Sequence, residues 1–190
     1  NRSSGKMGFE VAREARRRGA EVVLVTGPVA IDPPSGVEVV RVVTAAEMKK
    51  AVDARYPAAD VTVMAAAVAD FAFAAASGRK MKKSGMASTL DVVPTPDILK
   101  GLGARKKAGR ILVGFAAETH DLEASARAKI RDKNLDLVVA NDVSKEGIGF
   151  DADLNQAVLI DRRGRVRSTD VLSKRALAAV IWDVIEELRG

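Results

Sequence analysis

The first eight residues, Asn1 to Gly8, combine two serines, a lysine and two glycines directly before an amphipathic run from Phe9 to Arg18. Glycines let backbone N–H groups approach a ligand closely, and the N-terminus of a helix carries a partial positive charge that favours anions. The segment therefore predicts a phosphate or carboxylate site. The same residues also suit an ordinary serine N-cap, and by themselves they leave both interpretations open.

An aspartate, Asp70, follows a strand-like run from Asp60 to Ala66. Ligands bind at the carboxyl ends of parallel strands, so this carboxylate is predicted to lie at the rim of a binding crevice. The small residues from Ala65 to Ala67 would let a ligand approach the backbone there. An aspartate that starts a turn or caps a helix is the alternative.

Two groups of basic residues are candidates for binding phosphate, and each also has a simpler structural interpretation. The first group lies between Gly78 and Gly85 and consists of Arg79, Lys80, Lys82 and Lys83. On a mobile loop these side chains would close over a triphosphate, whereas the alternative is a solvated basic loop. The second group, Lys129 and Lys133, shares one helix face, where it would grip phosphates or complement the helix dipole.

Strands and helices alternate along most of the chain. The apolar, β-branched runs predicted as strands are 21–26, 37–43, 60–66, 111–115 and 135–140. The predicted helices between them include 9–18, 45–55 and 97–106, and Gly19 ends the first of these. This alternation predicts an α/β fold: a doubly wound, Rossmann-like, mostly parallel sheet with helices on both faces.

The last third of the chain departs from this pattern. Residues 157–161 and 165–168 flank Arg162-Arg163-Gly164, which predicts a hairpin, and 173–188 predicts a closing helix. Two segments, 27–36 and 71–90, are predicted to be irregular, and we interpret the second as a flap over the site.

Composition excludes several classes of function. The 190 residues suit one domain, and the absence of cysteine excludes disulfides, thiolate catalysis and cysteine-ligated zinc. The single histidine, His120, stands before a predicted helix, where a cap residue is the simpler interpretation than a Ser-His-Asp centre. Apolar runs are shorter than the roughly 20 residues of a membrane span, so we expect a cytoplasmic protein without membrane contact.

A net charge of +6 favours anionic partners. Aromatic residues make up only 4% of the chain and the basic residues form short clusters, so phosphorylated small molecules suit this charge better than nucleic acid. An NAD(P)-dependent oxidoreductase is a rival. It is disfavoured because no Gly-x-Gly-x-x-Gly follows a strand and Tyr56 has Asp60 instead of a lysine four residues later.

Six motifs occur in the order expected of one family. They are Asn-Arg-Ser-Ser-Gly-Lys-Met-Gly at 1–8, Met-Ala-Ala-Ala-Val-Ala-Asp at 64–70, Lys-Met-Lys-Lys at 80–83, Pro-Asp-Ile-Leu at 96–99, Gly-Phe-Ala-Ala-Glu-Thr at 114–119 and Ala-Asn-Asp at 140–142. With them the chain closely resembles bacterial phosphopantothenoylcysteine synthetase, the CTP-dependent ligase of coenzyme A biosynthesis, over essentially its whole length.

The resemblance implies a role for each matching residue. The cradle for 4'-phosphopantothenate would be Asn1, Ser3, Gly5 and Gly8, with Asn141 reaching the substrate from a partner subunit. The residues implied for CTP are Met64, Ala65, Ala66, Asp70, Lys80, Pro96, Asp97, Ile98, Leu99, Phe115, Lys129 and Lys133. Asn1 and Lys80 would be the catalytic residues.

The resemblance also implies the reaction and its partners. The carboxylate of 4'-phosphopantothenate would attack CTP to give an acyl-cytidylate, and L-cysteine would then displace CMP. Mg²⁺ and a homodimer with shared active sites are expected, whereas no metal-ligand signature names a metal site. Relatives carry an arginine and a strand before the asparagine, so residues 1–190 are expected to be one synthetase domain without its leading strand. FMN is expected only if a decarboxylase domain is fused upstream.

Overall fold

The computed structural model describes residues 3–75, 89, 91–118, 121–142 and 152–190. Along the chain the elements are α1 (Lys6–Arg17), β1 (Val23–Thr26), β2 (Glu38–Arg41), α2 (Ala45–Arg55), a 3₁₀ turn (Tyr56–Ala58), β3 (Val61–Met64), β4 (Phe71–Phe73), β5 (Val92–Pro94), α3 (Ile98–Ala104), β6 (Ile111–Glu118), α4 (Leu122–Lys133), β7 (Leu137–Asp142), β8 (Leu154–Asn155), β9 (Ala157–Asp161), β10 (Val166–Ser168), β11 (Leu172–Ser173) and α5 (Lys174–Arg189).

The central sheet has the strand order β10-β9-β7-β6-β3. Its strands β3, β6 and β7 are parallel, whereas β9 runs antiparallel to β7 and β10 runs antiparallel to β9. Three two-stranded units complete the described strands: the parallel pair β1–β2, the antiparallel ribbon β4–β5 and the short pair β8–β11. The parallel strands bring their carboxyl ends to one edge, where a ligand crevice is expected.

Helices cover both faces of the sheet because apolar side chains alternate along its strands. On β6, Ile111 and Val113 belong to a core cluster with α1 and α5, whereas Leu112 and Ala116 belong to a cluster with α2, α3 and α4. This alternation with a period of two is what a strand buried on both faces requires. The predicted doubly wound α/β fold is therefore confirmed.

The loop after α4 is fixed by a buried aspartate. Asp136 is fully buried; its carboxylate accepts hydrogen bonds from the Lys106 ammonium at 2.9 Å, the Arg162 guanidinium at 2.7 Å and the backbone N–H of Leu112 at 2.8 Å. A buried charge with this many donors is tolerated because its lost hydration is replaced. The network joins the start of β6 to the hairpin between β9 and β10.

A second buried carboxylate joins α1 to α5. Glu14 accepts hydrogen bonds from Arg17 and Arg18, and Arg18 also pairs with Asp183 at 2.7 Å and with Glu186 at 2.9 Å on α5. The hydrogen bond from Arg17 is the main cause that lowers the pKa of Glu14 to about 2, with Arg18 acting in the same direction against the effect of burial. This network holds the helix whose N-terminus opens into the cleft described below.

We expect Glu14→Gln to reduce the loss of stability in acid. The pKa of Glu14 is about 2 in the folded protein and 4.5 ordinarily, so its contribution is fully present above pH 4.5 and disappears as the pH falls toward 2. Denaturant unfolding at pH 6 and pH 3 should therefore show wild type losing about 2 kcal/mol more than the variant between these values. Exposed Glu21→Gln is the matched control, and identical losses in all three proteins would contradict the assignment.

The predicted helices and strands are found in the structure, although most of their bounds differ by one to three residues. Helix α1 begins at Lys6, ahead of the amphipathic run that starts at Phe9, and Gly5 caps it in a left-handed conformation with φ of 75°. Strands β6 and β7 continue to Glu118 and Asp142 because each pairs with the other beyond its apolar run.

The prediction of an irregular segment over 71–90 is wrong at its start. Residues Phe71–Phe73 form a strand that pairs with Val92–Pro94. The aromatic and β-branched residues of this ribbon are exposed, so no burial pattern marks it in the sequence. Residues 76–88 and 90, which carry the proposed flap and Lys80, lie outside the described residues, as do Asn1, Arg2 and His120. Within the described ranges, no helix combines the length and apolar character that a membrane span needs.

Candidate active site

A cleft of about 360 Å³ lies at the carboxyl ends of β3, β6 and β7, beside the N-terminus of α1. Its cationic lining residues in the described part of the chain are Lys6, Lys129, Lys133 and Lys174, and its anionic ones are Asp70 and Asp97. Cations outnumber anions, so the cleft favours an anionic ligand. The uncharged lining residues are apolar side chains, glycines and a few polar groups, a mixture that is usual for small-molecule sites.

The first wall is the N-terminal turn of α1. Gly5 caps the helix with φ of 75°, and a Cβ on it would lie 2.8 Å from Cγ1 of Val29, so both backbone conformation and space require glycine. The first turn contains no acidic residue, and Lys6 stands at its start. Backbone N–H groups and the positive end of the helix dipole therefore lie at the cleft, and the first turn itself contributes no carboxylate that would compete with an anion.

The second wall is the run of small residues after β3. Residues from Ala65 to Ala69 form no helix or strand, and the N–H of Val68 donates to the carbonyl of Ala66 at 3.0 Å. A Cβ on Gly8 would lie 3.7 Å from Cβ of Ala65, so α1 packs directly against this run. Asp70 ends it, and the Asp70 carbonyl accepts from the N–H of Thr95 at 2.8 Å, which fixes the base of the ribbon β4–β5.

The third wall is the start of α3. Asp97 caps this helix by accepting from the N–H of Lys100 at 2.9 Å, and its other carboxylate oxygen lies 2.8 Å from the ammonium of Lys133. Burial alone would raise the pKa of Asp97, but the hydrogen bonds from Lys133 and Lys100 outweigh it and lower the pKa. The pair holds Lys133 at the cleft while α4 presents Lys129 one turn earlier on the same face.

A glycine on β6 determines the apolar floor. A Cβ on Gly114 would lie 2.8 Å from Cδ2 of Leu99 and 2.9 Å from Cδ1 of Leu135. The absence of a side chain at Gly114 therefore lets Leu99 pack directly on β6, and both Leu99 and Phe115 line the cleft.

The end of the cleft nearest α5 is polar. Asn141 lies at the end of β7, and its Oδ1 accepts from Nδ2 of Asn155 on β8 at 3.1 Å. Lys174 opens α5, is 5% exposed and lines the same end. The ammonium of Lys6 lies 2.6 Å from the carboxylate of Asp153, and this hydrogen bond, with a smaller contribution from Lys174, lowers the pKa of Asp153.

The family model of the DNA/pantothenate metabolism flavoprotein C-terminal domain matches residues 1–188, nearly the whole chain that builds this cleft. The chain belongs to this family. The coenzyme A biosynthesis bifunctional protein CoaBC of Bacillus subtilis is 45% identical over 189 residues, which are 99% of this chain and 46% of that protein. The chain thus spans about half the length of the curated relatives it matches.

Solved structures agree with this membership of the flavoprotein C-terminal domain family. The crystal structure of the C-terminal domain of CoaBC is 37% identical, covers 99% of this chain and 84% of its own, and superposes with a TM-score of 0.82. A Cab2 mutant in complex with phosphopantothenate-cysteine is 16% identical, covers 99% of this chain and 79% of its own, and has a TM-score of 0.76. At that identity the second likeness concerns the fold.

Every site residue implied by the resemblance that the structure describes lines this one cleft. From the expected CTP set these are Met64, Ala65, Ala66, Asp70, Pro96, Asp97, Ile98, Leu99, Phe115, Lys129 and Lys133; from the expected phosphopantothenate set they are Ser3, Gly5, Gly8 and Asn141. Which ligand each contacts stays a prediction. Asn141 and Ser3 line the cleft of one chain, and the contribution of Asn141 to the site of a partner subunit stays a prediction.

The structure adds lining residues that the sequence did not single out. The polar ones are Thr95, Asn155 and Lys174, whereas Ser4 and Lys6, which also line the cleft, belong to the segment 1–8 that the sequence predicted as an anion site. Asn155 and Lys174 lie in the last third of the chain, where the sequence predicted only a hairpin and a closing helix. Lys174 opens that helix beside the cap Ser173, and this polar start was the only available signal.

Tyr56, the one tyrosine that an oxidoreductase could use, does not line the cleft. It is buried in the core cluster with Met48 and Leu102, and burial raises its pKa. Among the described residues no group of three or more histidine, cysteine, aspartate or glutamate side chains could hold a metal ion. Asp70 is an exposed carboxylate in the cleft, which suits Mg²⁺ bound mainly through nucleotide phosphates.

Proposed function

We propose that this chain is the ligase domain that joins 4'-phosphopantothenate to L-cysteine with CTP in coenzyme A biosynthesis. One observation carries the proposal: a single cleft collects the described residues that the resemblance assigns to two different phosphorylated ligands. We infer that residues 1–190 form one synthetase domain and that it acts in the cytoplasm. FMN belongs to this proposal only where a decarboxylase domain is fused upstream.

The nucleotide half of the site lies between α3, α4 and the ends of β3 and β6. Lys129 and Lys133 would bind the triphosphate, and backbone groups near Ala66 and Phe115 would read the base. The acyl carboxylate attacks the α-phosphorus, the bond to the β-phosphate oxygen breaks, and pyrophosphate leaves with that electron pair. Positive side chains around the phosphates stabilise the charge that develops there.

Mg²⁺ fits this half of the site through Asp70 together with phosphate oxygens. When bound, it neutralises negative charge on the nucleotide. Asp97 is less suited to the metal because its carboxylate already pairs with Lys133 and caps α3.

The acyl half of the site lies at the N-terminus of α1. Amides of Lys6, Met7 and Gly8 would bind anionic substrate oxygens. In the second step the amine of L-cysteine attacks the acyl carbon, CMP leaves with the bonding electron pair, and the ammonium proton is lost to solvent. Asn1, which lies outside the described residues, is proposed to bind the acyl oxygen during this attack.

We expect CTP to stabilise the protein more than ATP, GTP or UTP at equal concentration with Mg²⁺. Ligand at 100 times its Kd raises the free energy of unfolding by about 2.7 kcal/mol, so selectivity of tenfold or more gives clearly separated thermal midpoints. NADPH and an oligonucleotide serve as probes of the two rival functions. Equal stabilisation by the four nucleotides, or stabilisation by NADPH or oligonucleotide alone, would refute the proposal.

A homodimer with shared active sites stays a prediction. The exposed side chains of Phe71, Phe73, Val92 and Val93 on the ribbon β4–β5 offer apolar surface beyond the cleft. Sedimentation at micromolar concentration should give twice the monomer mass of 20.1 kDa. A strict monomer that still makes product would contradict sharing.

A further inference from the structure

A buried amide in the cleft has an acceptor without a partner. Asn155 is 2% exposed and lines the cleft, and its Oδ1 has no hydrogen-bond partner among the residues that the structure describes. Buried polar atoms are almost always hydrogen-bonded, because an unpaired one loses its hydration without replacement. Because Asn155 lines the cleft, a ligand bound there is positioned to supply the missing donor.

The orientation of this amide is fixed by its neighbour. Nδ2 of Asn155 donates to Oδ1 of Asn141 at 3.1 Å, so the remaining atom at this position, Oδ1, can only accept. The backbone position of Asn155 is fixed as well, because β8 pairs with β11 and places Asn155 opposite Leu172. The missing partner must therefore bring an N–H or O–H group.

The surroundings indicate which ligand brings that donor. Lys174 and Lys6 line the same end of the cleft as Asn155, and the N-terminal turn of α1 forms its wall. These groups favour an anion, so the ligand carries a negative group and, a short distance from it, a hydrogen-bond donor. 4'-Phosphopantothenate has this chemistry: between its phosphate and its carboxylate it carries one hydroxyl and one amide N–H.

We propose that Oδ1 of Asn155 accepts a hydrogen bond from the hydroxyl or the amide N–H of 4'-phosphopantothenate. This inference rests on the proposed function and adds a specificity-determining contact to it. Asn155 thereby distinguishes the pantothenate arm from acids of similar size and charge that lack a donor at this place. Asn141 holds the amide of Asn155 in the accepting orientation.

The test is a cycle between protein variants and ligand analogues. Calorimetry without L-cysteine measures the Kd of three compounds. They are 4'-phosphopantothenate, a deoxy analogue that lacks its hydroxyl, and an analogue in which a methyl group replaces the hydrogen of its internal amide. Asn155→Ala is compared with Gln156→Ala, the adjacent carboxamide, which donates to the carbonyl of Thr169 at 3.3 Å and does not line this cleft. The ratio of analogue Kd to substrate Kd is taken within each variant, so any loss of folded protein cancels.

One analogue should bind wild type and Gln156→Ala about five- to tenfold more weakly than the substrate does, which corresponds to one neutral hydrogen bond. In Asn155→Ala the same ratio should fall to about 1. The deoxy and N-methyl compounds tell which donor is used. A wild-type ratio near 1 for both, an unchanged ratio in Asn155→Ala, or an effect only on the KM for L-cysteine overturns the inference. Wild type that does not bind 4'-phosphopantothenate at all overturns the proposed function itself.

Discussion

Replacing Lys80 by glutamine should slow formation of phosphopantothenoylcysteine about 10²–10³-fold, the usual effect of losing a charge contact to a transition state. The resemblance assigns this lysine to CTP. The chain enters the segment that carries Lys80 from β4 and leaves it into β5, and the base of that ribbon lies at the cleft, where Asp70 and Thr95 are hydrogen-bonded. The effect should fall on kcat of pyrophosphate release, since the charge develops at phosphorus.

Lys83→Gln is the matched control, because it removes the same charge from the same basic group. We expect it to change the rate by less than about threefold, as is usual for a solvated surface charge. Single-turnover measurement of pyrophosphate release compares the two variants at saturating CTP. Small effects of equal size would return the group 79–83 to the interpretation of a solvated loop.

Gly103→Ala should destabilise the protein by about 3 kcal/mol, at the upper end for an overpacked core position. A Cβ on Gly103 would lie 1.8 Å from the carbonyl oxygen of Lys133 and 2.8 Å from its carbonyl carbon. These atoms belong to the end of α4 and cannot move aside as a flexible side chain would. The two helices must separate, so Lys133 should also lose its contact with Asp97 and the affinity for CTP should fall.

Gly101 lies two residues earlier on the same helix and provides the control. A Cβ there would have no atom within 4 Å in its surroundings, so Gly101→Ala should stabilise the helix by about 0.5–1 kcal/mol. Denaturant unfolding of both variants, with and without CTP, gives the two free energies. Equal stability of Gly103→Ala and wild type would show that α3 and α4 do not pack as closely as described.

The core strands and helices follow from local patterns in the sequence. Residues 111–115 and 137–140 carry no charged side chain, as is expected of strands buried on both faces, and the structure places them in β6 and β7 within the central sheet. The ribbon β4–β5 could not be predicted in this way. Its side chains are exposed, so the pairing of Phe71–Phe73 with Val92–Pro94 leaves no mark in the hydrophobic pattern.

In the candidate site, too, some residues could be predicted from local sequence patterns and others could not. The position of Asp70 after a strand predicted a place at the rim of a binding crevice, and the spacing of Lys129 and Lys133 on one helix face suited phosphate binding. Nothing local pointed to Asn155, because β8 has only two residues and its amide acquires meaning through contact with Asn141, fourteen residues earlier.

The sequence by itself determined the family, the doubly wound fold and the residue types available for phosphate chemistry, because periodicity and motif order are properties of the chain. Only the tertiary structure decided that Asp97 is paired with Lys133, that Gly114 makes room for Leu99, and that the buried Asn155 lines the cleft with its Oδ1 unpaired among the described residues. Each of these depends on the distance between residues remote in the chain, and that distance is set by the packing of helices on the sheet.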